Sequence, residues 1–368
     1  MAGSTLRDVA RRAGVSIRTV SNVVNGSVPV SDELRTRVQA ALDELDYRPN
    51  LVARNLRRGR SGMIALVVPE LDVPYFAELA REVITAARAH GYVVMLDQTD
   101  GDGQRERELL GRESRATMFD GVLLSPLTIS AEELRSRTNR VPLVLLGEHI
   151  FNGSFHHVAI DNIAAAREAT EHLLGLGRRR VAAIGDQPYS TGETAQLRTI
   201  GYRQALERAG LTADEELIVP TQRFHRRLGA QAVEHLLALP EPPDAVFCYN
   251  DLLAIGAMNA LTRAGVRVPD DIAVVGVDGI QEGQYSSPSL TTIAPDKTHI
   301  ARSAVGTLLG IIDGSAPPPA DTRAPHRLLV RESTVGAGGR SRAAEAGADP
   351  ERSGPAGPAK SAAPGRGV

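Results

Sequence analysis

The stretch Leu51-Val52-Ala53-Arg54-Asn55-Leu56-Arg57-Arg58 divides the chain into two parts of different character. The residues before it are basic and carry helical patterns only, whereas residues 62–336 alternate between strand and helix patterns. Within the stretch, Val52 and Leu56 lie four residues apart and share one helical face, and Asn50 is a good N-cap. So short a helix is unstable alone in water. The stretch is therefore either a hinge helix that forms on a partner or an ordinary linker.

The charge of the chain is unevenly distributed. Residues 1–60 carry 11 arginines, no lysine and 6 acidic residues, so the remainder of the chain, whose total charge is −2, carries −7. A basic segment attached to an acidic body indicates a polyanionic partner for the basic part. Lys297 and Lys360 are the chain's lysines among its 42 lysine and arginine residues, which we interpret as a compositional bias.

Length and composition indicate a globular chain of two or three domains. Its 368 residues, 42% of them hydrophobic and 23% charged, are typical of a soluble protein. The one cysteine, Cys248, excludes an intramolecular disulfide and fits a reducing compartment. Neither a signal peptide nor an apolar run long enough for a membrane span is visible. We therefore expect a cytoplasmic protein that does not enter the membrane.

The basic segment has the pattern of three short helices. The first opens with a capping box over residues 5–8 and ends at Gly14. Ser16 then caps a second helix over residues 17–25, and Ser31 caps a third. Two helices joined at a glycine and braced by a third match the helix-turn-helix pattern. The alternative is a protein-docking bundle, but the arginine excess and the polar face of the second helix favour DNA.

Several segments of this head together resemble the DNA-binding signature of the LacI/GalR (lactose-repressor) family. They are Thr5-Leu6-Arg7-Asp8-Val9-Ala10, Ala13-Gly14-Val15-Ser16, Thr19-Val20-Ser21, Val24-Asn25 and Tyr47-Arg48-Pro49-Asn50. The match is in register over about 50 residues and continues into the body. The resemblance implies a dimeric, sequence-specific regulator of transcription, a repressor, that binds palindromic operator DNA.

The DNA contacts follow from the helix pattern and from this resemblance. We expect Ile17, Arg18 and Asn22 to read base edges in the major groove. Leu56 is expected to enter the central minor-groove step with Arg57 alongside. The other expected contacts to DNA are Thr5, Leu6, Ser16, Thr19, Ser21, Asn25, Ser31, Tyr47, Asn50 and Ala53.

The body has the alternating pattern of an α/β protein. Its short apolar runs lie at residues 63–68, 92–96, 121–124, 142–146, 158–160, 181–184, 245–248 and 273–277. Amphipathic helices lie between them, which predicts parallel sheets with helices on both faces. The number of runs favours two lobes with a cleft between them. The fold class predicted is thus an all-α helix-turn-helix head on a two-lobed α/β body.

The resemblance implies that the body is similar to periplasmic sugar-binding proteins, with chain crossings near Asp161, Thr291 and Thr322. The predicted divisions are a DNA-binding domain (1–48), a hinge helix and linker (49–61), a body (62–336) and a disordered tail (337–368). Lobe 1 comprises about 62–160 and 292–322, and lobe 2 comprises 161–290 and 323–336. The tail lacks leucine heptads, so we expect a homodimer rather than a tetramer.

Searches for catalytic and cofactor motifs find nothing. The body has no dinucleotide-binding, P-loop, zinc-protease or nucleophile-elbow motif. We interpret His156 and His157 as solvent or loop histidines rather than metal ligands, and Cys248 as a core residue. We therefore predict no enzyme activity, no cofactor and no metal.

A ligand site is expected beyond the carboxyl ends of the strands, where open α/β lobes bind ligands. Carboxylates and planar polar groups pair with vicinal hydroxyls, and aromatic faces cover sugar rings. The family resemblance adds that Arg198, Phe224, Asn250 and Asp278 match effector-contacting positions. The expected effector-binding residues are Tyr75, Phe76, Ser125, Glu148, Arg198, Phe224, Asn250 and Asp278.

Two positions depart from the family pattern near this site. Gly147 stands where several relatives carry aspartate, and Pro295 where relatives often carry glutamine. We predict a repressor of carbohydrate-utilisation genes whose effector is a small molecule, a sugar. The alternatives are a nucleoside or purine corepressor, a ligand sensor that docks protein through its three helices, and an enzyme carrying a DNA-binding head.

Overall fold

The computed structural model describes residues 4–25, 28–47, 60–109, 111, 118–148, 154–188 and 193–336. Its helices are α1 (Leu6–Ala13), α2 (Ile17–Asn25), α3 (Asp32–Glu44), α4 (Pro74–Ala89), α5 (Gly103–Glu108), α6 (Ala131–Ser136), α7 (Asn162–Gly175), α8 (Glu193–Arg208), α9 (Arg226–Leu237), α10 (Asp251–Arg263), α11 (Gln281–Tyr285), α12 (Lys297–Asp313) and α13 (Glu332–Val335). Its strands are β1 (Met63–Val68), β2 (Val93–Gln98), β3 (Gly121–Leu124), β4 (Leu143–Leu146), β5 (His156–Ile160), β6 (Val181–Asp186), β7 (Ile218–Pro220), β8 (Ala245–Cys248), β9 (Ala273–Val277), β10 (Thr291–Pro295), β11 (Asp321–Ala324) and β12 (His326–Leu329).

The head is a bundle of α1, α2 and α3 around a small apolar core that includes the buried side chains of Val9, Val20 and Val38. The predicted capping box is confirmed, because the Thr5 hydroxyl accepts from the Asp8 amide at 3.3 Å while the Asp8 carboxylate accepts from the Thr5 amide at 3.0 Å. The head thus has the predicted helix-turn-helix arrangement.

The caps of the next two helices differ. The Ser16 hydroxyl accepts from the Thr19 amide at 3.0 Å, as a side-chain cap should. Ser31 is the N-cap residue of the third helix, as predicted, but its hydroxyl makes no capping bond. Asp32 and Glu33 lie in the first turn instead and compensate its positive end.

Two predicted elements fall outside the described residues. They are the hinge helix, with Asn50, Ala53, Leu56 and Arg57, and the tail over residues 337–368.

The body contains two sheets, as predicted, and each has six strands. The first has the order β11-β5-β4-β3-β1-β2 and is parallel throughout, whereas the second has the order β12-β10-β9-β8-β6-β7 with only β12 antiparallel. Strands β1, β3, β4, β8 and β9 are almost entirely buried because helices cover both faces. Because both faces of these strands are buried, their sequences are apolar almost throughout.

The crossings between sheets differ in part from the prediction. The first comes between β5 and α7, at Asp161. The second was expected near Thr291 but follows Pro295, and the third was expected near Thr322 but falls at Pro325. Thr291 and Thr292 do not form a crossing, because both are fully buried in β10, where distant segments satisfy their hydroxyls. We call residues 60–160 and 296–324 the first lobe, and residues 161–295 and 325–336 the second lobe.

Two further expectations are wrong in detail. The apolar run over residues 92–96 was expected to be buried, but β2 is an edge strand whose Val93, Met95 and Leu96 are exposed. His156 and His157 were expected in a loop or in solvent, but both lie in β5, where His156 is half-buried and His157 is buried between β4 and β11. Burial lowers the pKa of the His157 imidazole.

Candidate functional site

A cavity of about 320 Å³ lies between the two lobes. The first lobe contributes four of the eight expected effector residues and the second lobe the other four: Tyr75, Phe76, Ser125, Glu148, Arg198, Phe224, Asn250 and Asp278. The sequence reasoning therefore selected residues that the fold brings to one place. The volume is at the small end of the range for ligand pockets.

The residues converge because the parallel strands end at this cavity. Ser125 follows β3 directly, Glu148 comes two residues after β4, and Asp278 follows β9. Tyr75 and Phe76 lie in the first turn of α4, with their rings edge to face at 5.3 Å between centroids. Strand ends thus supply the polar groups, and the start of a helix supplies the aromatic surface.

A chain of hydrogen bonds joins the lobes across one side of the cavity. The Arg198 Nε donates to Asn162 Oδ1 at 2.7 Å, and Asn162 in turn donates to the Glu148 carboxylate. The Thr194 hydroxyl donates to the other Glu148 oxygen at 2.7 Å, and Arg198 also donates to the carbonyl of Tyr249. Sequence reasoning missed Asn162 and Thr194, although Asn162 begins the helix directly after the first crossing.

The side chain of Asn250 caps a helix and also lines the cavity. Its Oδ1 caps α10 by accepting from the Leu253 amide at 2.8 Å, and its Nδ2 donates to the Phe224 carbonyl at 3.2 Å. These bonds fix the amide plane beside the cavity. The Phe224 ring is held edge to face against Tyr249, with 6.5 Å between centroids.

Asp278 is the buried acid of the cavity, 8% exposed and with a positive φ of 121°. Burial raises the pKa of its carboxyl to about 6, although the charges of Arg198 and Lys297 act in the opposite direction. Asp251, which the sequence placed beside Asn250, is not among the residues that line the cavity. It accepts from the Ile280 amide at 2.9 Å and supports the loop that carries Asp278.

A second set of contacts joins the lobes at another part of the cavity wall. Glu70 of the first lobe accepts from Arg223 at 2.6 Å and lies 3.0 Å from the Nε2 of His225, both on the second lobe. All three residues line the cavity. Sequence reasoning missed them because the partners are more than 150 positions apart and no local pattern signals such a pair.

The charged lining is acidic in excess. Its carboxylates belong to Glu70, Asp100, Glu148, Glu193 and Asp278, whereas its guanidinium groups belong to Arg198 and Arg223. Arg198 donates to Asn162 and to the Tyr249 carbonyl, and Arg223 donates to Glu70, so both positive charges already have protein partners. The cavity therefore suits a neutral, hydroxyl-rich ligand better than an anion. Gly147 and Pro295 also line it, with Gly147 at a φ of 87°.

The expected DNA-reading face of α2 is partly open. Ile17 is 45% exposed and Arg18 is exposed, whereas Ser21 and Asn22 are half-buried. Of the other expected contacts, Thr5, Ser16 and Ser31 are exposed, Thr19 is half-buried, and Leu6 and Tyr47 pack against the head core. The side chain of Asn25 lies outside the described residues.

The described ranges contain no group of three or more His, Cys, Asp or Glu side chains arranged to hold a metal. None of the helices in these ranges combines the length and apolar character that a membrane crossing requires.

Comparison with known proteins places both parts of the chain. Residues 5–50 match the family model described as bacterial regulatory proteins, lacI family, and residues 170–334 match a periplasmic binding protein-like domain. The chain is 37% identical over 336 residues to the ribose operon repressor of Halalkalibacterium halodurans, covering 90% of this chain and 98% of that protein.

Two solved structures extend the likeness over the same share of the chain. A complex of the transcriptional regulator CelR with cellobiose is 33% identical, with a TM-score of 0.67, and covers 90% of this chain and 99% of its own. The Lac repressor dimer bound to operator and an anti-inducer is 26% identical, with a TM-score of 0.77 and the same coverage. These relatives are regulators of transcription by name.

Proposed function

Because the chain belongs to the LacI family of bacterial regulatory proteins, we propose that the cavity between its lobes binds an uncharged sugar that sets its affinity for operator DNA. The chain is a DNA-binding transcriptional regulator with a helix-turn-helix head and a periplasmic-binding-protein-like body. One observation carries the proposal: eight residues from both lobes line a single cavity between strand ends.

The chemistry of the lining supports a sugar. The Asp278 carboxylate and the Asn250 amide offer acceptors and donors for vicinal hydroxyls, and Tyr75 and Phe76 offer apolar faces for a ring. The acidic excess disfavours a sugar phosphate or a nucleotide because an added anion would meet like charge in a buried site. Similarity to a ribose operon repressor and to a cellobiose complex agrees with this class of ligand.

A nucleoside is the second candidate for the effector. Three aromatic rings, those of Tyr75, Phe76 and Phe224, border the cavity and offer stacking surfaces for a base. The same hydroxyl-binding groups would then hold the ribose.

We also propose that successive segments of the chain have different functions. Residues 1–48 bind DNA, residues 49–61 form the hinge, and residues 62–336 bind the effector and associate. In the head, Ile17, Arg18 and Asn22 read base edges, and Leu56 and Arg57 enter the minor groove from the hinge.

We propose that the regulator acts as a homodimer. Strand β2 is one of the two edges of the first sheet and exposes Val93, Met95 and Leu96. An exposed apolar edge strand favours association, and a second copy of the chain covers it in this proposal. Two heads then address the two halves of a palindromic operator.

Titration calorimetry and thermal shift with ribose, cellobiose, glucose, ribose 5-phosphate, uridine and hypoxanthine test the effector class. We expect a neutral sugar to bind and to raise the melting temperature, and ribose 5-phosphate to bind at least tenfold more weakly than ribose. If only hypoxanthine or uridine binds, the effector is a base-containing molecule and not a sugar. Preferential binding of the phosphate would overturn the assignment of a neutral ligand.

The proposed base contact is tested on an operator selected by the protein from random duplexes. Arg18→Ala should cost about 1–3 kcal/mol on that operator and relax preference at one base position. Arg35→Ala is the matched control, since Arg35 is an exposed arginine of the same head on α3. Equal weakening on all sequences by Arg18→Ala would make Arg18 a phosphate contact instead.

A further inference from the structure

The side chain of Lys297 joins the two lobes through contacts that suit a lysine and not an arginine. Lys297 begins α12 on the first lobe, and its side chain is only 12% exposed. Its Nζ donates to Glu78 Oε2 at 2.7 Å, to the Asp278 carbonyl at 2.6 Å and to the Gly279 carbonyl at 3.2 Å. An ammonium group has three donors, so all three are used.

Glu78 completes the contact between the lobes. It lies on α4, one turn after Tyr75, and its second oxygen accepts from the Gln281 amide at 2.8 Å. Two side chains of the first lobe thus hold the second lobe at three backbone atoms within residues 278–281. Neither Lys297 nor Glu78 lines the cavity.

The segment 278–281 is otherwise fixed to its own lobe. The Asp278 amide donates to the Ile293 carbonyl at 2.9 Å, the Gly279 amide to the Thr292 hydroxyl at 3.2 Å, and the Ile280 amide to Asp251 at 2.9 Å. Every backbone N–H from 278 to 281 therefore has an acceptor. Three of these four amides are bonded within the second lobe, so the segment is part of that lobe.

The geometry explains why lysine stands here in a chain rich in arginine. Two adjacent carbonyls and a carboxylate surround one point, and a compact ammonium group meets all three. A planar guanidinium group directs its donors outward in one plane and is larger. The site at Lys297 therefore suits an ammonium group better than a guanidinium group.

We propose that Lys297 and Glu78 are positioning residues that couple the cavity to the arrangement of the lobes. They hold the backbone of Asp278, whose carboxylate faces the effector, against the first lobe. An effector that binds the Asp278 carboxylate therefore also affects the contact of Lys297 and Glu78 with the second lobe. A rotation of one lobe against the other changes this same contact. This inference rests on the proposed function, because it assigns a route for the response at that site.

The functional test separates binding from response. Operator affinity is measured with and without ribose and cellobiose for Lys297→Met, Lys297→Arg and the unchanged chain, and sugar affinity is measured by calorimetry. We expect Lys297→Met to bind the sugar but to lose the change in operator affinity, typically about 5- to 150-fold. Lys297→Arg should also lose the change in operator affinity.

The matched control is Thr298→Val. The Thr298 hydroxyl donates to Glu82 at 3.0 Å, so this substitution breaks a contact between the same two helices but within the first lobe. It should respond to sugar like the unchanged chain. A full response in Lys297→Met, a full response in Lys297→Arg, or complete loss of sugar binding in Lys297→Met would each overturn the proposal.

A second measurement needs no sugar and stays decisive if the effector assignment fails. Hydrogen exchange is compared amide by amide in the unliganded chain and in Lys297→Met. The Gln281 amide, bonded across the lobes, should exchange faster, whereas the Ile280 amide, bonded within the second lobe, should not change. Equal loss at both amides would show that Lys297 only supports the loop, and no change at either would show that it does not hold the lobes together.

Discussion

The two walls of the cavity differ in chemistry and in how firmly they are held. The second-lobe wall presents Arg198, Asn250 and Asp278, each more than nine-tenths buried and hydrogen-bonded through side chain or backbone to its neighbours. The first-lobe wall presents the half-buried rings of Tyr75 and Phe76 beside the polar side chains of Ser125 and Glu148. The second lobe therefore fixes its polar groups before any ligand binds, whereas the first lobe adds an aromatic surface beside two polar side chains.

The largest effect is expected from Arg198→Ala in the second-lobe wall. The substitution removes the donor to Asn162 and to the Tyr249 carbonyl, so we expect the free energy of unfolding to fall by about 2–3 kcal/mol. Sugar binding and the response to sugar should be lost, while the folded protein still binds operator. Denaturant unfolding, calorimetry and an operator shift assay measure the three quantities.

Arg203→Ala provides the control for this substitution. Arg203 lies on the same helix, and its ion pair with Glu215 is solvent-exposed. We expect a loss of at most about 1 kcal/mol and normal sugar binding. Sugar binding that survives Arg198→Ala would remove the second-lobe wall from the site.

Asp278→Asn should separate function from stability. The folded-state pKa of about 6 lies above the ordinary value of 3.8, so the folded protein binds a proton more tightly than the unfolded chain. The contribution of Asp278 to stability therefore falls as pH rises from about 4 to 6, by about 1–3 kcal/mol. Asp278→Asn removes this loss of stability, but it also removes the carboxylate that binds the hydroxyl groups of the sugar.

Melting temperatures across this range check the prediction. The variant should exceed the unchanged chain in stability at pH 7.5, and the difference should shrink towards pH 4. A difference that does not depend on pH would mean that the Asp278 carboxyl titrates normally.

The smallest effect is expected in the first-lobe wall. Tyr75→Ala removes one aromatic face, so we expect sugar affinity to fall about tenfold while the sugar that does bind still changes operator affinity. Tyr75→Phe keeps the ring and should bind sugar nearly normally. Calorimetry measures both variants, and a loss as large as that of Arg198→Ala would erase the proposed difference between the walls.

Much of this site was predictable because its residues follow buried parallel strands. The apolar runs of β3, β4, β8 and β9 are unambiguous, and polar residues just beyond such runs must meet at one edge of a sheet. Ser125, Glu148, Asn250 and Asp278 were found in this way. The helices of the head were equally clear, because capping residues and a glycine stop act within a few positions.

What the sequence did not reveal depends on partners that are distant along the chain. Lys297 and Glu78 are separated by 219 positions, and their contact has no local signature. The second crossing was expected near Thr291, but Thr292 is buried in β10, where its hydroxyl donates to Asp251, 41 positions away. The exposure of β2 was missed because apolar periodicity does not distinguish a strand buried under helices from an edge strand.

Linked titrations on the full chain test the central claim, that a sugar in the cavity controls DNA binding. Operator affinity is measured at increasing ribose and cellobiose, and sugar affinity is measured with and without saturating operator. We predict that one sugar changes operator affinity and that operator changes the affinity for that sugar by the same factor, as linkage requires. A sugar that binds in the cavity but leaves operator affinity unchanged would contradict the account.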